Sequence, residues 1–351
     1  MVWIMKQVLN IYNLRITISW LMCAVLLNTG CTSLIPEDLD ALGDDVTLTL
    51  TEFTPYLGRT SVYENVVNVS NKSTLPLTFN VVGVRTFEGA PAPELMEKYP
   101  VKVWHQTYTG EEKSVEEIEA KRRIEYRPML DIQHKNGDII FWNTGKSSFL
   151  KTIPSDGYLF DLEIQNSGGR KYVREVALKP FKERPYEPSQ YDPASGLSTT
   201  AYLRPSYLNI YGKRTGNIVM DVRAYIFKQT ENLNPGNTFT VSVVDSLGQA
   251  IDVKKFKDTD FAHLVHGFNP RYQDGKVTYD VVYPMPLINY PTRYTDIGGD
   301  RSRILLRYDR IGFGGLLQQA GIWLDLAIFE EGHWELQFRF NGESPNFDNE
   351  Q

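Results

Sequence analysis

The sequence predicts a mainly β protein built as two β-sandwich domains in tandem, the first with a short inserted helix, behind an export leader. Three observations predict this. Short runs alternating between apolar and polar residues recur through the chain, punctuated by Gly, Asn, Ser and Pro, without the interleaved helical patterns of βαβ units. A proline-rich break at 183–195 divides the chain into comparable halves. An apolar run of about a dozen residues, from Ile16 to Leu27, follows a weakly basic start at Lys6 and Arg15.

Composition bounds what such a chain can do. Its 351 residues, 42% hydrophobic and 23% charged, leave room for two medium domains and exclude global disorder. Lys6 and Arg15 are the only charges in the first 30 residues, so the remainder carries 35 basic and 43 acidic side chains, net −8. That sign argues against nucleic acid or an anionic membrane surface as the main partner. The two cysteines, Cys23 and Cys31, both sit in or just behind the apolar run. Once the leader is cleaved only Cys31 remains, which leaves no internal disulfide and no cysteine-based metal site.

The leader, residues 1–30, is too short in its apolar part to cross a bilayer, which takes roughly 20 residues. It ends in Gly30-Cys31 and resembles a bacterial lipobox, with one departure: Asn28 stands where Leu is usual, and Leu27 lies one position earlier. The resemblance implies acylation of Cys31, the lipid bilayer as partner through that residue, and an outer-membrane location in the cell envelope. Residues 31–45 form an acidic tether with five carboxylates and no base. Acidic residues soon after the cysteine resemble a surface-export cue of Bacteroidetes lipoproteins. They start late here, at Glu37, so the surface is only slightly favoured over the periplasmic face.

The first domain is expected at 46–182. Val46 opens an alternating run, and segments 62–69 and 77–84 read as a hairpin around a polar turn at 70–74. The wording of that hairpin resembles immunoglobulin-like modules. Ser114-Val-Glu-Glu117 is a capping box for a short surface helix, which Pro128 should end near Arg127. Lys121-Arg122-Arg123 then reads as a solvated face, with an anion site as the alternative. Strands follow at 128–133, 138–142, 157–165 and 172–178. After the linker at 183–195, the second domain, 196–345, offers strands at 206–211, 217–227, 238–244, 276–282, 303–308, 321–329 and 333–340. Glu330-Glu-Gly332 reads as the loop of a closing hairpin, and the tail 346–351 as frayed.

Catalytic motifs are absent: there is no Gly-x-Ser-x-Gly, and Gly312-Phe-Gly-Gly315 lacks the Lys-Ser/Thr of a phosphate loop. His263 and His266 have ligand-like spacing only on a helix, with Asp258 and Asp260 near in sequence; they read as polar surface, and no metal or other cofactor is expected. Asp296 to Asp300 is an acidic loop without calcium-loop spacing. Aromatic rings are the remaining signal, at 12% of the chain. Tyr191, Tyr202, Tyr207, Tyr290 and Tyr294 fall in or beside loops, where exposed rings stack on sugars; the competing reading is that they cap sandwich cores.

Lipobox, acidic tether, immunoglobulin-like first half and aromatic second half together resemble uncharacterised Bacteroidetes outer-membrane lipoproteins, the accessory kind found with SusC/SusD-type glycan importers. The resemblance implies a non-catalytic binding lipoprotein that handles a polysaccharide or a protein partner such as an outer-membrane transporter complex. A structural or adhesin subunit and a β-sandwich glycan hydrolase are the alternatives.

Overall fold

The computed structural model describes residues 40–69, 72–231 and 235–349. The leader, Cys31 and the first part of the tether lie outside the described residues. The chain is mainly β, with two packed sets of sheets in tandem.

The first half holds strands β1 (Thr47–Leu48), β2 (Glu52–Phe53), β3 (Ser61–Tyr63), β4 (Val67–Asn68), β5 (Thr78–Thr86), β6 (Lys98–Trp104), β7 (Arg122–Pro128), β8 (Leu130–Ile132), β9 (Ile139–Phe141), β10 (Tyr158–Asn166) and β11 (Gly169–Leu178). A sheet in the order β2-β11-β10-β5 faces the smaller β3-β9-β8 sheet. Tyr158, Phe160 and Leu162 of β10 meet Phe53, Leu130, Ile139 and Phe141 in one core. Alternation along β10 sends those side chains inward and Leu159, Asp161 and Glu163 outward. The expected hairpin of 62–69 with 77–84 does not form. β4 pairs with β1, and β5 pairs with β10, because the apolar face of β5 is buried only in the larger sheet.

Between β6 and β7 lies helix α1 (Val115–Ala120). Ser114 Oγ accepts from Glu117 N at 3.1 Å, and Glu117 reaches back to accept from Lys113 N at 2.8 Å, one residue before the cap. The helix is shorter than expected. It stops at Ala120, because residues 122–128 pair with β6 along seven positions, from Lys98↔Pro128 to Trp104↔Arg122. Cross-strand pairing here outweighs the i,i+4 charge pairs Glu117–Lys121 and Glu119–Arg123 that the sequence offers to a longer helix.

The second half holds β12 (Tyr186–Glu187), β13 (Ser206–Leu208), β14 (Val222–Lys228), β15 (Thr238–Val244), β16 (Gly267–Gln273), β17 (Lys276–Val281), β18 (Ser302–Ile311), β19 (Leu317–Ile328) and β20 (His333–Phe340). A five-stranded sheet, β14-β20-β15-β17-β16, packs on β19 and its neighbours β12, β13 and β18. Phe338 and Leu336 from one sheet meet Ile322, Leu324 and Tyr308 from the other. The loop at 330–332 is not a hairpin: β19 pairs with β18 and β20 with β14 and β15, so the loop arches between the two sheets. Part of the tail is docked rather than frayed. Phe347 packs edge-on against Phe256 at 5.1 Å, and Asn349 Oδ1 accepts from Ile311 N at 2.8 Å.

Candidate functional site

The chemistry that distinguishes this chain gathers where the two halves meet. The proline-rich stretch is paired there: Tyr186↔Ile328 and Glu187↔Ala327 add β12 to β19. The Glu187 carboxylate then receives Arg59 Nη1 from the first half at 2.7 Å and Arg301 Nη2 from the second at 2.6 Å. Arg59 also lies over the rings of Tyr56 and Phe329, at 4.1 and 4.7 Å. One carboxylate thus joins guanidinium groups from both halves.

The excursion β6-α1-β7 makes a second contact. Arg122 Nη1 donates to Tyr283 O at 3.0 Å, its side chain almost fully buried and 5.5 Å from the Trp104 ring. Within the Lys121-Arg122-Arg123 run only Arg123, 63% exposed, lies on a solvated face; Lys121 and Arg122 turn inward. Lys121 pairs with Glu112, Arg122 with Glu119, and Arg123 with Glu125. Ile118 and Tyr108 pack against Val282 and Leu287 of the second half.

His266 stands in this contact. Its Nε2 lies 2.9 Å from Glu112 O, and a carbonyl only accepts, so Nε2 carries the proton. Nδ1 is then bare and accepts from the Tyr108 hydroxyl. The imidazole stacks on Tyr294 at 4.6 Å with an interplanar angle of 4°. Burial lowers the His266 pKa below the usual 6.5, although the Glu112 carbonyl pulls the other way. The neutral ring fits every partner it has. The Glu112 side chain, 0% exposed, accepts from Thr109 N and Gly110 N, both at 2.9 Å, from Thr109 Oγ1 at 3.0 Å, and from Lys121. Burial alone would raise its pKa; Lys121 and the Thr109 donors overcome that and hold it at about 2. The cavity beside Tyr108, His266 and Tyr294 has about 20 Å³, room for one water.

A larger opening lies on the other side of β12. A cleft of about 180 Å³ is lined by Ser147, Lys182, Arg184, Tyr191, Asp192 and Gly196, among others. Its wall is a rigid loop: Tyr191 pairs with Ser198, and Gly196 N donates to Asp192 O at 2.9 Å. Gly196 takes φ +71° at that turn, a conformation glycine adopts without steric cost. The two acids at the cleft are already occupied. Asp192 Oδ1 accepts from Ala194 N, Ser195 N and Ser195 Oγ, and these bonds, Ser195 N first, lower its pKa. Glu183 accepts from Ser147 N and Oγ at 3.1 and 2.9 Å. The two cations are in the opposite state. Lys182 reaches only Ser195 O, and Arg184 only Tyr191 O and the face of Tyr56; neither makes an ion pair among the described residues. Arg184 Nε is buried without a hydrogen-bond partner. A half-exposed ring, two cations and backbone polar atoms thus converge on a space the size of one sugar.

A family model described as a domain of unknown function, DUF5007, matches residues 68–349, through both halves and the junction between them. The chain belongs to the DUF5007 family. No curated protein and no solved structure matches it.

The DUF5007 chain distributes its five candidate tyrosines over separate places. Tyr191, 42% exposed, lines the cleft. Tyr294 stacks on His266 in the junction, and Tyr290 projects into solvent from the same loop. Tyr202 lies under the Arg223 guanidinium at 4.4 Å, and Tyr207 packs against the core with its hydroxyl donating to Met220 O. No two of the five stack on each other among the described residues. His263 and His266 both pack on Tyr294 but take different hydrogen-bond partners: His263 pairs with Asp260 at 2.8 Å, and His266 with Tyr108. No group of three or more metal-ligating side chains occurs among the described residues. Asp296 Oδ1 accepts from Gly299 N, closing its own loop. Lys182 and Arg184 carried no sequence signal beyond their place in the proline-rich stretch. Among the described residues, no helix is long and apolar enough to cross a membrane.

Proposed function

We propose that this DUF5007 protein is a lipid-tethered, non-catalytic binding protein of the cell envelope that holds a saccharide at the junction between its two β halves. The observation that carries the reading is the cleft of about 180 Å³ with Tyr191 on its wall and two unpaired cations, Lys182 and Arg184, beside it. Aromatic faces take the C–H side of a sugar ring, and N–H donors take its hydroxyls. The resemblance of residues 16–31 to a lipobox supports acylation at Cys31 and an outer-membrane site. The likeness to Bacteroidetes lipoproteins of SusC/SusD-type loci supports a polysaccharide, or the transporter complex that imports it, as partner.

Affinity electrophoresis through gels cast with a panel of glycans tests the reading. Retardation by one glycan without release of sugar, abolished in Tyr191→Ala and weakened in Arg184→Met, is the expected result. Retardation by none of the panel would sink it, and release of sugar would make the protein a hydrolase. For the anchor, Cys31→Ala should lose the mass of the acyl chain and associate with membranes less than the unsubstituted chain; a variant equal to it in mass and in membrane association would remove the acylation from the reading.

A further inference from the structure

The most unusual surface of the molecule is the turn between β18 and β19, none of whose residues lines the cleft. Four bulky apolar residues crowd it: Ile311 is 42% exposed, Phe313 84%, Leu316 70% and Leu317 64%. Between them stand only Gly312, Gly314 and Gly315, with Gly314 and Gly315 at φ +77° and +75°. No charged residue occurs from Ile311 to Leu324. Such a projection is costly in water and calls for an occupant.

We infer that this turn inserts into the apolar layer of a lipid bilayer. Three observations select lipid over protein. Four exposed apolar side chains on one hairpin turn fall well short of the roughly 20–30 residues and about 800 Å² per partner that stable protein interfaces bury. A second copy of the chain would meet the same shortfall. The turn is also closed at its base by its own backbone: Gly312 N donates to Leu316 O at 2.8 Å and Gly315 N to Gly312 O at 3.2 Å. Each such bond is one fewer backbone group that entry into hydrocarbon would leave without water. Finally, residues 311–317 carry only apolar side chains and glycine, which matches an uncharged medium and offers no polar side chain to the rim of a protein interface. The contact is independent of the saccharide cleft and adds a second membrane attachment to the acyl chain proposed at Cys31.

The test uses the acylated full chain carrying Phe313→Trp, compared with the unsubstituted chain on phosphatidylcholine vesicles. Vesicles with brominated acyl chains should quench the additional indole emission, whereas unbrominated vesicles shift it to the blue. In Cys31→Ala, the further changes Phe313→Ser, Leu316→Ser and Leu317→Ser should lower the fraction that floats with vesicles. If Phe313→Trp floats but its added emission is indifferent to bromination, the tether stands and the insertion is refuted. If the chain neither floats nor is quenched, tether and insertion fail together. A blue shift without vesicles that grows with protein concentration would place the tip against a second copy and overturn the inference.

Discussion

Replacing Glu112 with alanine should destabilise the protein more than any other single change at the junction. The carboxylate is wholly buried and satisfies two backbone N–H groups, a threonine hydroxyl and the Lys121 ammonium. Breaking a buried charge pair costs about 3–5 kcal/mol. The lower end applies here, because Lys121 keeps some exposure and also donates to Thr107 O, so its charge is not stranded. With about 2–4 °C lost per kcal/mol in units of this size, the melting temperature should fall by roughly 6–12 °C. Scanning calorimetry at pH 7 measures it. The pH dependence supplies an independent reading. Glu112 titrates at about 2 in the folded chain against its ordinary 4.5, so the unfolded chain takes up the proton first as pH falls. Its stabilisation is complete above pH 4.5 and is lost between there and about 2. The gap between wild type and Glu112→Ala should therefore close across that window. A melting temperature within about 2 °C of wild type at pH 7 would refute the account, since surface substitutions already reach that size.

Other expectations concern the same junction and the second core. Burial holds His266 below 6.5, so the unfolded chain binds a proton there before the folded one; stability should decline as pH drops below 6.5, and His266→Gln should flatten that decline in a pH series of thermal melts. Glu335, 1% exposed, accepts from Ser242, Gln229 and Lys276, and Glu335→Ala should cost about 3 kcal/mol or more in urea denaturation. Gly267→Ala would bring a Cβ within 2.7 Å of Tyr279 Cβ and 2.9 Å of Val265 Cγ2, an overpacking of about 1–3 kcal/mol that the same titration would detect.

How legible this was differs element by element. β10, β15 and β20 alternate apolar with polar residues, so composition and periodicity found them, although β15 and the first half of β20 are buried on both faces. β6 and β16 escaped notice because each contains a proline, Pro100 and Pro270, which lowers the strand signal. Both are tolerated at edges: β16 ends its sheet, and β6 pairs only with β7. The helix end was misplaced because i,i+4 charge pairs are local, whereas the β6–β7 register is not. The five tyrosines could be named from sequence but not sorted, since exposure depends on what folds over each ring. The cleft was illegible for a related reason. Its cations matter because Ser147 and the 194–195 backbone occupy the nearby acids, and that is a tertiary fact.

The way the chain enters the fold has a mechanical consequence. Asp40 to Gly43 is clasped by Thr74, Ser73 and Asn166, and the Asp40 carbonyl lies so close to Gly168 that a Cβ there would meet it at 2.0 Å. The β1–β4 pair behind this clasp is two residues long, whereas β10 and β11 pair along most of ten. Tension on the N-terminal segment reaches the clasp first and strips it one bond at a time. The sandwich bears load only afterwards. In a chain held at the proposed Cys31 anchor, the clasp would act as a fuse that lengthens the N-terminal segment before the sandwich is strained.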